Sequence, residues 1–307
     1  AGVGGAPLDC RGAENAAEFE RQWRKTVAAI VALDAHVLGI LEIENDGYGA
    51  ESAIAHLVEQ LNAATQPGRY AFIDADTGTG ERNALGSDAI RVGMLYQPAR
   101  VTPTGRTAVL NTRAFVHGGE SAERNRPSLL QAFVQADGGR VIVSINHFKS
   151  KGSPCDVADA GDAQGNCNAA RTTAARELLA WLARDPTGTG EENVLILGDL
   201  NAYAREDPVR VLREGGFTDL FARHARGEAY SYVFDGQWGY LDHALASASL
   251  LPYITGAADW HINADEPPVL DYDTSFRSAA QQASLYRADP FRSSDHDPVI
   301  VGVQLGR

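Results

Sequence analysis

Cysteine and methionine are scarce in these 307 residues, at three and one respectively. Cys155 and Cys167 have no second Cys or His pair at zinc-finger spacing, which excludes a structural zinc site built on them. No run of about 18 apolar residues occurs, so no segment reads as a membrane-spanning helix. The longest apolar-rich stretches, 26–33 and 37–43, are short and broken by polar residues. Positive charge is also in deficit, with 27 Lys and Arg against 40 Asp and Glu, a net charge of −13. That balance argues against binding nucleic acid by counterion release alone. Phosphate substrates stay open, because a divalent metal screens them locally while the surrounding surface stays negative. No basic-then-apolar segment opens the chain, which leaves a cytosolic protein or one already processed for export.

Hydrophobic residues make up 44% and charged residues 22%, an ordinary globular composition that excludes wholesale disorder. The periodicity predicts a helix over 15–33, with Phe19, Trp23, Val27 and Ile30 on one face and an Asn15/Glu18 capping box. Further helices are expected over 51–64, 169–184 and 208–213. Strands are expected over 37–43, 89–96, 141–148, 194–200, 240–246 and 299–305. No repeat, low-complexity tract or Pro/Ser-rich linker divides the chain. The pattern suits one α/β domain over 1–307, with a long functional or mobile loop at 260–292. Cys155 and Cys167 flank a Gly/Asp/Asn-rich loop. A disulfide closing it is the favoured reading and a pair of buried free thiols the alternative; Cys10 is then left over. A bridge favours an oxidising compartment.

Polar residues stand at the ends of four apolar runs. Leu41-Glu42-Ile43-Glu44 places a carboxylate directly after a buried strand, which is costly unless it is paired or binds a cation, and alternation puts Glu42 and Glu44 on one face. Asn146-His147-Phe148-Lys149-Ser150-Lys151 offers an imidazole and two cations that suit a phosphate. In Gly198-Asp199-Leu200-Asn201, glycine permits close backbone approach, and a carboxylate beside an amide can orient water. Ser294-Asp295-His296-Asp297-Pro298 sets an imidazole between two carboxylates, able to fix one tautomer and raise its basicity. Asp242 lies within an apolar run and calls for a His or cation partner.

In this order the pieces resemble the endonuclease/exonuclease/phosphatase superfamily, of which DNase I is the best-known member. The matching stretches run from Glu42 to Val299. The sequence is similar in particular to secreted bacterial nucleases of the ExeM/NucH type, through Cys10-Arg11-Gly12-Ala13, Glu42-Ile43-Glu44-Asn45-Asp46-Gly47, Asn146 to Gly152, and Ile262-Asn263-Ala264-Asp265-Glu266. The resemblance implies a four-layer α/β sandwich, two packed mixed sheets flanked by helices. It implies a secreted, extracellular or periplasmic hydrolase that cleaves DNA, with RNA as a second substrate, leaves 5′-phosphate ends and uses Mg²⁺ or Mn²⁺, with Ca²⁺ a third option.

Residue by residue, the resemblance makes Glu42, Asp199 and Asp295 metal ligands. It has Asp199 and Asn201 position phosphate and water, and His147 contact the scissile phosphate as an acid. Asp295 supports His296 as general base, with Asp199 the alternative base, and Asp242 completes the site. Asp88 would orient His147, with Lys149 and Arg292 as weaker phosphate contacts. Family members also carry a first strand with a Phe-Asn-Val-type motif, which residues 1–9 do not contain. An open slot beside the Glu42 strand and an unpartnered Cys10 are therefore expected, or else a segment from outside this sequence in that slot. The competing readings are another phosphodiesterase or phosphatase of the superfamily, and an inactive module that keeps the fold. A Trp-Cys-Asp-Arg element of the inositol-phosphatase branch is replaced here by Gly239-Tyr240-Leu241-Asp242-His243. No membrane partner is expected, since no exposed aromatic hairpin is visible in the sequence; the oligomeric state is left open.

Overall fold

The computed structural model describes residues 2–5, 7, 11–224 and 229–306. Cys10, and with it the expectation about its partner, lies outside the described residues. The chain opens with α1 (Ala16–Leu33), β1 (Val37–Glu44), α2 (Ala53–Ala64), β2 (Ala71–Phe72), α3 (Ala75–Thr79), β3 (Ile90–Tyr96) and β4 (Val101–Leu110). The middle holds α4 (Arg113–His117), β5 (Arg126–Gln135), β6 (Arg140–His147), α5 (Asn168–Leu182), β7 (Val194–Asp199), α6 (Asp207–Glu214), β8 (Phe217–Asp219) and α7 (Leu220–His224). Then follow β9 (Tyr232–Phe234), β10 (Gln237–Gly239), β11 (Asp242–Ser247), β12 (Ile254–Asp259), α8 (Ala279–Leu285) and β13 (Val299–Val303).

Six strands form one sheet in the order β4-β5-β6-β7-β11-β8, antiparallel except for the parallel β6/β7 pair. Its outer face packs on α4, α5 and α6 through residues such as Phe115, Leu178, Ile196 and Leu212. Its inner face meets β1 and β3 through Val92, Met94, Phe133 and Ile145. Helices α1 and α2 cover the far side of β1 and β3 through Val27, Ile30, Leu57 and Leu61. The result is the expected four-layer α/β sandwich: helices, two packed sheets, helices.

Strands β4, β5 and β12 carry no clear signal in the sequence. In β5, Ser128 and Gln131 interrupt the apolar pattern, yet both are buried. The Ser128 hydroxyl donates to Asn146 Oδ1 at 2.7 Å, and Gln131 accepts from the Thr107 hydroxyl at 2.6 Å. Cross-strand hydrogen bonds thus remove the cost of burying them, and periodicity alone cannot register that.

The start of α1 is half as expected. Asn15 Oδ1 accepts from Glu18 N at 3.0 Å, but the Glu18 carboxylate does not return to the cap. It accepts instead from Glu14 N at 2.9 Å and from Thr274 N at 3.0 Å. Further along α1, Arg21 Nε donates to Tyr272 O at 2.8 Å and buried Lys25 Nζ to Phe291 O at 2.7 Å. The 260–292 stretch is therefore strapped across α1, and the strap sets where the following residues, 293–297, begin.

Beyond the six-stranded sheet, β1-β3-β2 and β12-β13 are separate pieces of one layer. Among the described residues β1 pairs only with β3, and β13 only with β12, so each presents an unpaired edge to a common slot. A cavity of about 520 Å³ fills it, roofed by Ala29 and Ile30 of α1, floored by Phe133, Val143, Leu195 and Leu197, and running to Glu42 and Asp295. Among the described residues the layer is open beside the Glu42 strand. Unpaired edge N–H and C=O groups beside an apolar floor favour an added strand. A strand-length peptide of alternating apolar residues should therefore raise the melting temperature by several degrees in a thermal scan. An unchanged melting temperature at saturating peptide would show that the slot does not accept a strand.

Cys155 and Cys167 are joined, with their Cα atoms 5.3 Å apart, and the loop they close is pinned from beneath by buried Arg171 of α5. Arg171 Nη1 donates to Lys149 O at 3.0 Å and Asn166 O at 2.7 Å. Closing so short a loop contributes about 3 kcal/mol by chain entropy. Replacing both cysteines by serine should lower stability by about that amount in denaturant titrations. Two freely alkylatable thiols in the unreduced protein would exclude the bond.

Candidate active site

Register alone builds a row of polar side chains across three neighbouring strands. His147 of β6 stands opposite Asp199 of β7, and Asp242 of β11 stands opposite Asp199 on its other side. Gly198 makes the row possible. Its φ is +128°, and a Cβ there would collide with the Asn146 carbonyl of β6.

The facing layer supplies Glu42. The β1/β3 register breaks between Ile40 and Ile43, and Glu42 takes a φ of 59°. A bulge with a non-glycine residue in left-handed backbone is costly, and it re-aims the side chain. Glu42 Oε1 lies 3.6 Å from His147 Nε2, and Asp199 Oδ2 lies 3.8 Å from the same nitrogen.

The stretch leading into β13 brings the second imidazole. His296 Nδ1 meets Asp242 Oδ2 at 2.7 Å, and the Ser231 hydroxyl donates to that same oxygen at 2.7 Å. Buried Asp297 anchors the stretch, its Oδ1 accepting from the backbone N–H of Ile262, Asn263 and Ala264 at 3.0, 2.7 and 3.0 Å. Asn263 Nδ2 donates to His296 O at 2.6 Å.

These contacts correct several sequence-based assignments. The dyad expected between Asp295 and His296 is formed by Asp242, while Asp295 is exposed and, among the described residues, its side chain is hydrogen-bonded only by the Ser294 hydroxyl at 3.5 Å. Asp88 does not reach His147; it holds Arg126 Nε at 3.0 Å, and Arg126 is the cross-strand neighbour of His147. Asn201 spends its amide N–H groups on Asp199 Oδ2 (2.8 Å) and Phe148 O (3.0 Å), so it orients Asp199 rather than a phosphate. Lys149 Nζ donates to Ser150 and Ser153, and Arg292 is tied to Asn263 O. Lys151 is paired with Glu206 at 2.5 Å, which takes it out of phosphate binding. An exposed aromatic hairpin does exist: in β9 and β10, Phe234 and Trp238 are 64% and 63% exposed. Arg126 and Ser231 carry no signal in the sequence, and Asn263 stands there only within a matching stretch without a role, because their roles depend on long-range partners.

Electrostatics separates the two histidines. Burial, reinforced by Arg126, drops His147 to about 3, so its ring is neutral at pH 7. Its Nδ1 has no hydrogen-bond partner among the described residues. For His296, burial disfavours the imidazolium, but the Asp242 carboxylate outweighs it and lifts the value from 6.5 to about 10. Burial and the neighbouring Asp242 push Asp199 up to about 8. Burial also opposes the charge on Asp242, yet His296 holds its value below the usual carboxylate range.

Asp199 is thus a buried carboxylate without a full counter-charge, beside the solvated Glu42. That pairing fits a hard divalent ion held by one or two carboxylates and several waters. Among the described residues no three of His, Cys, Asp and Glu converge as a cage. The expected Glu42, Asp199 and Asp295 set is therefore not a closed one among the described residues. Glu42 and Asp199 are the residues that would hold the ion.

His296 binds its proton more tightly in the folded state than in the unfolded chain. Its contribution to stability is complete below about 6.5 and is lost as pH rises toward about 10. An NMR titration of metal-free protein should place His296 well above 6.5, and Asp242→Asn should bring it down. A wild-type value at or below 6.5 would contradict the pairing.

Comparison with known proteins follows the same lines. A search of curated proteins finds no significant match. Among solved structures the chain is similar to mannosyl-6-phosphatase of Bacteroides thetaiotaomicron VPI-5482, with TM-score 0.58 and 14% identity over 97% of each chain. It is similar to an endonuclease/exonuclease/phosphatase from Bacteroides vulgatus, with TM-score 0.57 and 13% identity over 94% of this chain and 91% of the other. It is also similar to D. rerio TDP2 complexed with single strand DNA product, with TM-score 0.54 and 12% identity over 93% and 92% of the two chains. Identities this low show a shared fold. The profile of the Endonuclease/Exonuclease/phosphatase family spans residues 9–296, and with that match over nearly its whole length the chain belongs to this family of hydrolases acting on phosphate esters.

Proposed function

We propose that the protein is a divalent-metal-dependent phosphodiesterase that cleaves DNA, with RNA as a second substrate, and leaves 5′-phosphate ends. The observation that carries this reading is the meeting of His147, Asp199 and the Asp242–His296 pair with Glu42 at one mouth. Bound Mg²⁺, Mn²⁺ or Ca²⁺ supplies charge stabilisation for the phosphoryl and leaving oxygens. The chain's own residues do the rest. His147 presents Nε2 toward the phosphoryl position, Asn201 fixes Asp199, and Asp242 engages His296 Nδ1 so that its Nε2 can carry the proton passed between the attacking water and the leaving oxygen. Arg124 and Arg126 beside His147 are paired with Asp156 and Asp88, so the local positive balance there is small in a chain of net charge −13. The TDP2 neighbour, solved with a single-strand DNA product, supports nucleic acid as substrate. Export to the periplasm or cell exterior suits the Cys155–Cys167 bond.

A phosphomonoesterase is the second reading, favoured by the full-length likeness to mannosyl-6-phosphatase. Supercoiled plasmid, a matched RNA and a chromogenic phosphomonoester, each with Mg²⁺, Mn²⁺, Ca²⁺ or EDTA, separate the two. Nicking of plasmid that EDTA abolishes is expected, with Asp199→Ala and His296→Ala each slowing it by about a hundredfold or more. Undiminished cutting in EDTA contradicts the metal, and turnover of the monoester alone replaces the first reading by the second.

A further inference from the structure

The hairpin of β9 and β10 is joined directly to the reaction centre. Ser231, immediately before β9, donates to Asp242, and its carbonyl accepts from Asp297 N at 2.8 Å. The Tyr232 ring stacks on His296 at 4.4 Å between centroids. Gly239, opposite Tyr232, has Tyr203 where a side chain would stand. The face carrying Tyr232 is therefore turned toward the site. Phe234 lies two residues on, on the same face, about 6.6 Å further from His296 along the strand. It is 64% exposed and belongs to none of the hydrophobic clusters among the described residues. Trp238 shares the opposite face with Val233 and packs tilted against Tyr230, with ring centroids 4.9 Å apart.

We propose that Phe234 is a stacking platform for an unpaired nucleobase next to the scissile phosphate, so that the site selects nucleic acid with that base out of the duplex stack. The proposal rests on the phosphodiesterase reading and narrows its substrate class. A chain of net charge −13 gains little affinity from the phosphate backbone. Stacking on an aromatic face needs no charge, accepts any base and contributes about 1–3 kcal/mol per base. A base inside a duplex offers no free face, which is why the platform demands an unpaired one. A lipid surface is the poorer occupant. The hairpin tip is Asp235-Gly236, residues 229–240 contain no Lys or Arg, and the two exposed rings point to opposite faces rather than together.

The test is binding in EDTA, read by fluorescence anisotropy, so that it does not depend on turnover. The probes are a labelled single-stranded 12-nucleotide DNA, the same length made entirely of abasic sites, and the matched duplex. Wild type should bind the base-bearing strand about tenfold or more tighter than the abasic strand, and tighter than the duplex. Phe234→Ala should lose most of that advantage, Phe234→Trp should keep it, and Trp238→Ala should leave it intact. Equal affinity for base-bearing and abasic strands, or a Phe234→Ala protein that binds like wild type, overturns the platform. So does co-sedimentation with phosphatidylcholine vesicles that both alanine variants abolish. Base-dependent binding without any metal-dependent cleavage would leave the platform standing and reject the phosphodiesterase reading.

Discussion

Two buried carboxylates, Asp199 and Asp242, face each other across a strand pair, and much of the site follows from how that repulsion is managed. Neither can ionise cheaply beside the other in a low-dielectric interior. Asp242 is compensated by His296 and by the Ser231 hydroxyl. Among the described residues, the Asp199 carboxylate accepts hydrogen bonds only from the backbone and amide N–H groups of Asn201, with His147 Nε2 at 3.8 Å. The asymmetry leaves one carboxylate settled and the other short of positive charge, meeting the same His147 nitrogen as Glu42. A fold that spends stability in this way concentrates unmet electrostatic demand where a cation and a phosphate can answer it together.

The rest of the architecture reads as support for that arrangement. The parallel β6/β7 pair and the glycine before Asp199 set His147 beside the carboxylate. The bulge in β1 turns Glu42 inward from the other sheet. The strap across α1 and the Asp297 anchor fix the stretch that presents His296. Each device belongs to a different part of the chain, and together they place rigid groups around one mouth without a closed metal cage.

Much of this was legible in the sequence because the site residues sit at the ends of strongly apolar strands. Glu42, His147 and Asp199 stand out as polar residues at the end of buried runs, and Asp242 as a carboxylate within one. The disulfide was legible from loop composition. The Asp242–His296 pairing was not, because Asp295 adjoins His296 in sequence while Asp242 is 54 residues away and meets it only through tertiary packing. Asp88 was misread for the same reason, since Arg126 captures it across the structure. Strand β5 was missed because its polar residues are satisfied by partners that no local pattern reveals, and the β9–β10 hairpin because three-residue strands carry no periodicity.

The central claim is that Asp199 is held short of positive charge and that a divalent cation meets the deficit together with Glu42. Titration of Mn²⁺ into the protein, followed by electron paramagnetic resonance in wild type and in Asp199→Asn and Glu42→Gln variants, tests it most directly. The account predicts a saturable site in wild type that each substitution weakens by tenfold or more, with fold and melting behaviour retained. Mn²⁺ binding that neither substitution alters would place the cation elsewhere and contradict the account.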